Sequence, residues 1–289
     1  MNNEYTDAHR LFLQASLSER FFTEATAIEL YNKAYEATDV QDPEAFTGFI
    51  ATINTKLNTI DLEFRKSHEE ETGTAVWALV NTNGDEIAKL ATEYTPIEIT
   101  YFRRLIELIV TAEDEAFSVS SILALKEASK LKPSISKSNG ETLLQRFVDD
   151  KWLNKSRGGI YSLSQRTILE LQHFLKEEFE DILLECTLCF DIVTKGQRCK
   201  VAQCKARFHH HCAHRYFDSR NDKACPTCKI DWDSNIIGDN GSSGSVSRIR
   251  KPNNRTMTRV TRRFQETEVG DNDNDNDEMN QDGDDGDDF

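Results

Sequence analysis

CTLCFDIVTKGQRCKVAQCKARFHHHCAHRYFDSRNDKACPTC, residues 186 to 228, decides the fold of this chain, because all seven of its cysteines lie there. They fall as C-x-x-C at Cys186 and Cys189, then Cys199, Cys204 and Cys212, then C-x-x-C at Cys225 and Cys228. An odd count makes a full disulfide set impossible, and clustered thiols without a secretory leader point to metal in a reducing compartment. One histidine brings the donors to eight, enough for two tetrahedral zinc ions with no thiol left over. With every coordination position filled by protein, such ions are structural and hold no water nucleophile.

His209 is the favoured eighth donor, since H-x-x-C with Cys212 lets both side chains curl onto one ion as C-x-x-C does. His210 and His211 stay open as alternatives. The ligand order fits a cross-brace in which Cys186, Cys189, His209 and Cys212 hold one ion and Cys199, Cys204, Cys225 and Cys228 hold the other. RING domains and PHD fingers share that interleaving, and the flanks favour RING. PHD fingers carry an aromatic residue two positions before the seventh ligand, where this chain has Lys223. RING ligases present an apolar residue before the second ligand, a proline after the seventh and a basic residue after the eighth. Here these are Leu188, Pro226 and Lys229. Packing of a small domain and an ordinary surface lysine would account for the same three side chains.

Working outward, residues 1–94 read as short helices followed by a hairpin. Leu11, Phe12 and Leu13 sit near one face of the first helix, Ile28, Leu30, Tyr31 and Ala34 mark a second, and Phe46, Phe49, Ile50, Ile53 and Leu57 mark a third. The period then falls to two in DLEFRKS and TAVWALVNT, with EETG as the turn and Gly73 free to take positive φ. Residues 95–182 repeat the order. Thr95, Pro96 and Glu98 open a helix with a capping box, a second helix ends before Pro133, and Ser138 with Glu141 suggests another box. KWLNK and IYSLS flank SRGG as a second hairpin, and a continuous closing helix over 164–179 leads to Cys186. Helices followed by a terminal hairpin are the order of a winged-helix domain. The expected architecture is therefore α+β and multidomain: winged helices at 1–94 and 95–182, a two-zinc cross-braced module at 183–235, and a disordered basic-then-acidic tail at 236–289.

The formal net charge of −15 chiefly describes that tail, because residues 266–289 carry twelve acids and no base. Ahead of them, Arg248, Arg250, Lys251, Arg255, Arg259, Arg262 and Arg263 form a basic stretch suited to nucleic-acid contact, nuclear import or plain solvation. The third helix of each winged unit lacks a basic footprint, since PEAFTGFIATINTK offers only Lys56 and ETLLQRFVDDK balances acids against bases. No run approaches a membrane span, so a soluble chain with no membrane partner is expected.

Beyond these readings, WALVNTNGDEIAKLATEYTPIEITYFRRLIELIV, LLQRFVDDKWL, GIYSLSQRTILEL and the cysteine array together resemble the non-SMC element one subunits of the SMC five/six genome-maintenance complex. The resemblance covers roughly residues 75–232. It implies tandem winged helices and a variant RING with two structural zinc ions. A MAGE-type winged-helix subunit, a kleisin subunit at the SMC heads and a ubiquitin-conjugating enzyme are the implied partners. The implied activity is RING-type ubiquitin ligation in DNA repair and recombination at nuclear chromosomes, with Leu188, Pro226 and Lys229 touching the conjugating enzyme. The alternatives are a non-catalytic structural subunit and a PHD-like chromatin-binding module. The chain departs from the family in placing four residues between Cys199 and Cys204, where two are usual. It also has no tryptophan between Cys212 and Cys225, where Tyr216 or Phe217 is the available substitute.

Overall fold

The protein is described here by a computed structural model covering residues 4–38, 43–82, 93–220 and 223–238. The basic stretch and the acidic end of the sequence lie outside these described residues. Helices α1 (Asp7–Ser18), α2 (Glu24–Glu36) and α3 (Phe46–Leu57) pack on an antiparallel sheet. Its order is β1 (Phe21–Thr23), β3 (Ala75–Asn81), β2 (Leu62–His68). The pleat sends Trp77 and Leu79 of β3 toward Phe12, Phe49 and Ile53, and Val76, Ala78 and Val80 to the opposite face. That second face is covered by Leu169 from farther along the chain, which makes β3 a fully interior strand.

In α1 only Phe12 of the expected trio is fully buried, while Leu11 is 38% exposed. Consecutive helical positions are about 100° apart, so three in a row cannot share one face. In α2 the buried positions are Ala27 and Ala34, and Ile28 points outward. The hairpin turn closes with Gly73 at φ 71°, its N–H donating to the Glu69 carbonyl at 2.8 Å.

The second helical group holds the largest core. Helix α4 (Pro96–Val110) opens with the Thr95–Glu98 capping box and buries Phe102, Leu105, Ile106 and Ile109 against Phe147 and Trp152. Helices α5 (Ser121–Ala128) and α6 (Lys137–Asp149) complete the layer over a sheet ordered β4 (Val119–Ser120), β6 (Ile160–Leu163), β5 (Leu153–Lys155). Helix α6 starts earlier than the Ser138–Glu141 reading expects. Ser136 is its N-cap and accepts from the Asn139 N–H at 3.2 Å. That start puts Gly140, packed on Leu125 and Ala128, inside the first turns of the helix. The closing helix is broken into α7 (Gln165–Glu170) and α8 (Gln172–Glu178) at Leu171, a fully buried residue that seats both halves on the core.

The cysteine array follows as a small sheet ordered β8 (Arg207–Phe208), β7 (Gly196–Cys199), β9 (Ser234–Ile237), with helix α9 (His210–Asp218) beside it. Strand β9 passes the expected boundary at residue 235, because Ile237 pairs with Gly196 and joins Ile192 in the core built around α4. Among the described residues, no helix is long and apolar enough to cross a membrane.

The two neighbours in α1 make a direct test of the packing. Phe12→Ala should cost roughly 3–5 kcal/mol in denaturant unfolding. Leu11→Ala should stay within about 0.5 kcal/mol of the parent.

Candidate metal centres

Two knuckles of identical design carry the paired cysteines. After Cys186-x-x-Cys189, Phe190 takes φ 63° and returns its N–H to the Cys186 carbonyl at 2.9 Å, while the Cys186 N–H donates to Asp191 at 2.8 Å. After Cys225-x-x-Cys228, Lys229 also takes φ 63°, bonds the Cys225 carbonyl at 2.9 Å, and Cys225 donates to Ile230 at 2.8 Å. Left-handed backbone at a non-glycine residue is uncommon and costs energy. Here it turns the chain back so that both thiols of each pair point to one side.

The structure gathers Cys186, Cys189, His209 and Cys212 into one donor cluster and Cys199, Cys204, Cys225 and Cys228 into another. Within each, the donor atoms lie within 4.8 Å of one another. Sulfur pairs Cys199–Cys228 and Cys204–Cys225 are each 3.8 Å apart. Tetrahedral zinc with thiolate bonds near 2.3 Å separates its sulfurs by about 3.8 Å. His209 Nδ1 stands 3.3 Å from Cys189 Sγ and 3.9 Å from Cys212 Sγ, bracketing the separation of about 3.6 Å expected for a zinc-bound nitrogen and sulfur. No cysteine is in a disulfide. The donor set and its spacing fit zinc.

The protonation pattern agrees. Hydrogen bonds from the Cys189 and Cys212 sulfurs hold Cys186 well below the ordinary thiol range, and Cys212 is pushed up by facing Cys186 and Cys189. Burial lifts Cys199 to about 12. Bare thiols packed this closely cannot all ionise, whereas a dication lets each become a thiolate ligand.

Only one histidine of the run enters a cluster. His209 is buried, and its Nε2 can only donate to the Ile192 carbonyl at 2.9 Å, which turns Nδ1 toward the thiols. Burial lowers this imidazole, yet Cys186, Cys189 and the Glu70 carboxylate outweigh it and raise it to about 11. His211 instead stacks on His209 with ring centroids 5.1 Å apart, and its own basicity falls to about 4 through burial and the neighbouring His209. His214 pairs with Asp218 at 2.7 Å on the exposed side of α9, and His210 sits outside both clusters.

The long Cys199–Cys204 spacer closes as a loop: Cys204 N–H donates to Val201 at 2.9 Å and Cys199 N–H to Ala206 at 3.2 Å. Val201 tucks against the local core, so the two additional residues do not displace the sulfurs. Gly196 in β7 is irreplaceable by geometry, since a Cβ there would lie 2.0 Å from the Phe208 carbonyl oxygen. Phe217 is committed to that core, stacked on Trp232 at 4.6 Å and edge-on to Phe208. Tyr216 is half-buried under the Arg220 guanidinium. Leu188 and Pro226 are half-buried, and Lys229 is exposed beside its knuckle. The seven basic positions from Arg248 to Arg263 lie outside the described residues.

Three residues that sequence reasoning missed tie the clusters to the helical body. Glu115, in the loop after α4, takes the Arg207 guanidinium at 2.9 and 2.5 Å, and Arg198 at 3.5 Å. Arg207 also donates to the carbonyls of Cys204 and Ala206 at 3.0 Å. Glu70, at the β2–β3 turn, is buried beneath the first cluster; burial raises its carboxyl while Thr194 and Lys195 donors pull the other way. An acid in a hairpin turn ordinarily reads as solvated, so no local signal distinguished either glutamate.

Comparison with known proteins matches residues 9–171 to the family described as "Nse1 non-SMC component of SMC5-6 complex" and residues 186–228 to a RING-like domain. The rat "Non-structural maintenance of chromosomes element 1 homolog" is 33% identical over 80% of this chain and 86% of its own length. The corresponding protein of Schizosaccharomyces pombe is 27% identical over 81% of this chain and 95% of its own. Among solved structures, a chain of the "Nse1-Nse3-Nse4 complex" superposes with a TM-score of 0.70 at 30% identity, covering 80% of this chain and 98% of that one.

Replacing single histidines tests the assignment. His209→Ala should lose one metal equivalent per chain in native mass spectrometry, whereas His210→Ala and His214→Ala should retain the parent stoichiometry.

Proposed function

We propose, from the premise that this chain belongs to the Nse1 family of SMC5-6 components, that it is a RING-type ubiquitin ligase subunit acting in DNA repair at nuclear chromosomes. The observation that carries this reading is the use of all seven cysteines in two closed donor sets. No thiol is left to accept ubiquitin, so the module acts by holding a charged conjugating enzyme near its acceptor. Two zinc ions, held by Cys186, Cys189, His209 and Cys212 and by Cys199, Cys204, Cys225 and Cys228, supply cross-links between loops rather than chemistry. Leu188 and Pro226, one on each knuckle, contact the conjugating enzyme, and Lys229 beside them orients ubiquitin.

We read residues 1–94 and 95–182 as winged-helix domains and place the start of the RING-like domain at 183, extending it to Gly238 to include β9. In this reading the two helical units bind a MAGE-type winged-helix subunit and a kleisin, supported by a structural relative that belongs to an assembly with Nse3 and Nse4. Arg146, a cation on the third helix of the second unit, lies over the Tyr94 ring at 4.3 Å and near Glu98 and Asp150 at 3.6 and 3.7 Å. It is thereby committed within the fold, which favours protein docking over phosphate contact on that helix. The stretch from Arg248 to Arg263 is the candidate DNA contact.

A structural reading of the same module is favoured by the Glu115–Arg207 and Glu70 contacts, which build it into the body of the subunit. Autoubiquitination in the presence of the Nse3-type partner separates the two. Leu188→Ala and Pro226→Ala should reduce ligation at least tenfold without loss of zinc; undiminished ligation overturns the proposed contact. Absence of ligation with every partner present favours the structural role.

A further inference from the structure

The β2–β3 turn reaches the first metal cluster from more than a hundred residues away in sequence. Glu70 is only 5% exposed. Its Oε1 accepts the backbone N–H groups of Thr194 at 2.6 Å and Lys195 at 3.2 Å, and its Oε2 accepts the Thr194 hydroxyl at 2.6 Å. The same Oε1 lies 3.6 Å from His209 Nε2, on the side of the imidazole opposite the thiols. Around it the turn is seated closely. A Cβ on Gly73 would lie 2.9 Å from His211 Cβ, the His68 and His211 rings are 5.1 Å apart, and Lys195 Nζ meets Glu71 at 2.5 Å.

These contacts bind both things that orient His209. The ring is aimed by its bond to the Ile192 carbonyl, and Ile192 is two residues from the Thr194 amide that Glu70 grips. A carboxylate that fixes the loop behind a ligating imidazole, and stands near its second nitrogen, occupies the position of an outer partner in a carboxylate–histidine–metal arrangement. We propose that Glu70 is a positioning residue for the first metal cluster, so that the amino-terminal hairpin completes a site whose ligands all come from residues 186–212. The second cluster is linked to the body through Arg207 and Glu115 instead. The hairpin tip is consequently occupied inside the chain rather than presented to a nucleic acid.

The inference rests on the zinc assignment of the first cluster, and one experiment on the full chain distinguishes their failures. Zinc release to a chromogenic chelator is followed for the parent, Glu70→Gln, Glu70→Ala and Glu69→Gln, with the cobalt-substituted proteins compared by visible absorption. The parent should hold two zinc ions, and Glu69→Gln, which removes a charge from the same turn at a side chain that accepts the Thr72 hydroxyl rather than any group of the Thr194–Lys195 loop, should match it. Glu70→Ala should release one of the two ions about tenfold faster or more, the usual cost of losing an outer partner, while the other keeps the parent rate. Glu70→Gln keeps an acceptor for the Thr194 and Lys195 amides and should fall between, with a shifted cobalt band for the site containing His209. It also serves should Glu70→Ala fail to fold. Parent-like release of both ions and an unchanged cobalt spectrum in Glu70→Gln and any folded Glu70→Ala would overturn the positioning role. A parent with fewer than two zinc ions overturns the cluster assignment instead.

Discussion

The whole carboxyl-terminal module depends on eight donors being brought to two points within a segment of roughly forty residues, a length at which apolar burial alone rarely sustains a fold. Its core is correspondingly small: Phe208, Phe217, Ala206 and Ala213 packed among the cysteines themselves, with Trp232 at the edge. Strands β7 and β8 share only two paired positions. Metal ions held at the two clusters would supply what these residues lack in buried area, connecting Cys186 to Cys212 and Cys199 to Cys228 across loops whose hydrogen-bond ladders are short. Interleaving matters here, because the first site takes donors from both sides of the Cys199–Cys204 loop. Neither site can assemble without bringing that loop into place.

A cross-braced module of this kind is often an independent bead on a chain, and in this protein it is not. Ile192 and Ile237 enter the core built around α4, and two glutamates enter the module from the helical body. Glu115 and Arg207 are each 13% exposed, a pair that would be costly to bury singly and is satisfied only as a unit. The loop that carries Glu115 holds Asp114, Glu115 and Phe117 at φ 55°, 58° and 43°. Three left-handed non-glycine residues so close together represent stored backbone strain, offset by the Arg207 pair on one side and burial of Phe117 on the other.

Local chemistry made much of this legible in the sequence. The Thr95–Pro96–Glu98 start of α4, Gly73 in its turn, and the cysteine spacing each depend on a few neighbouring residues whose geometry is transferable. The expectations that needed correction depend on distant ones. Three adjacent apolar residues in α1 could not show which single position meets Phe49, and nothing near Leu171 marks a break whose cause is the core beneath it. The expected boundary at 235 falls inside β9, because what holds Ile236 and Ile237 in a strand is pairing with β7, far upstream. The second knuckle repeats the first in backbone while sharing little beyond the C-x-x-C, so Phe190 and Lys229 gave no glycine signal for their positive φ. Spacing to Cys212 favours His209 over its neighbours in the sequence, whereas in the structure it is singled out by the Ile192 carbonyl that turns its Nδ1 toward the thiols.

These attachments bear on how a partner's binding reaches the knuckles. Val76, Ala78 and Val80 of β3 face Leu169 of α7, so the first hairpin is held between the two helical groups while its tip carries Glu70 into the module. A displacement of the hairpin relative to α7 therefore strains the Thr194–Lys195 loop, and a displacement of the Glu115 loop strains Arg207, whose guanidinium also holds the Cys204 and Ala206 carbonyls. The first cluster is thus supported by the β2–β3 turn and, through Ile192, by the α4 core, and the second by the loop after α4. A subunit docked across both groups fixes the two supports relative to one another, and with them the relative placement of Leu188 and Pro226. That is a physical route by which a subunit docked on the helical groups would reach the knuckles, through side-chain links in place of a flexible tether.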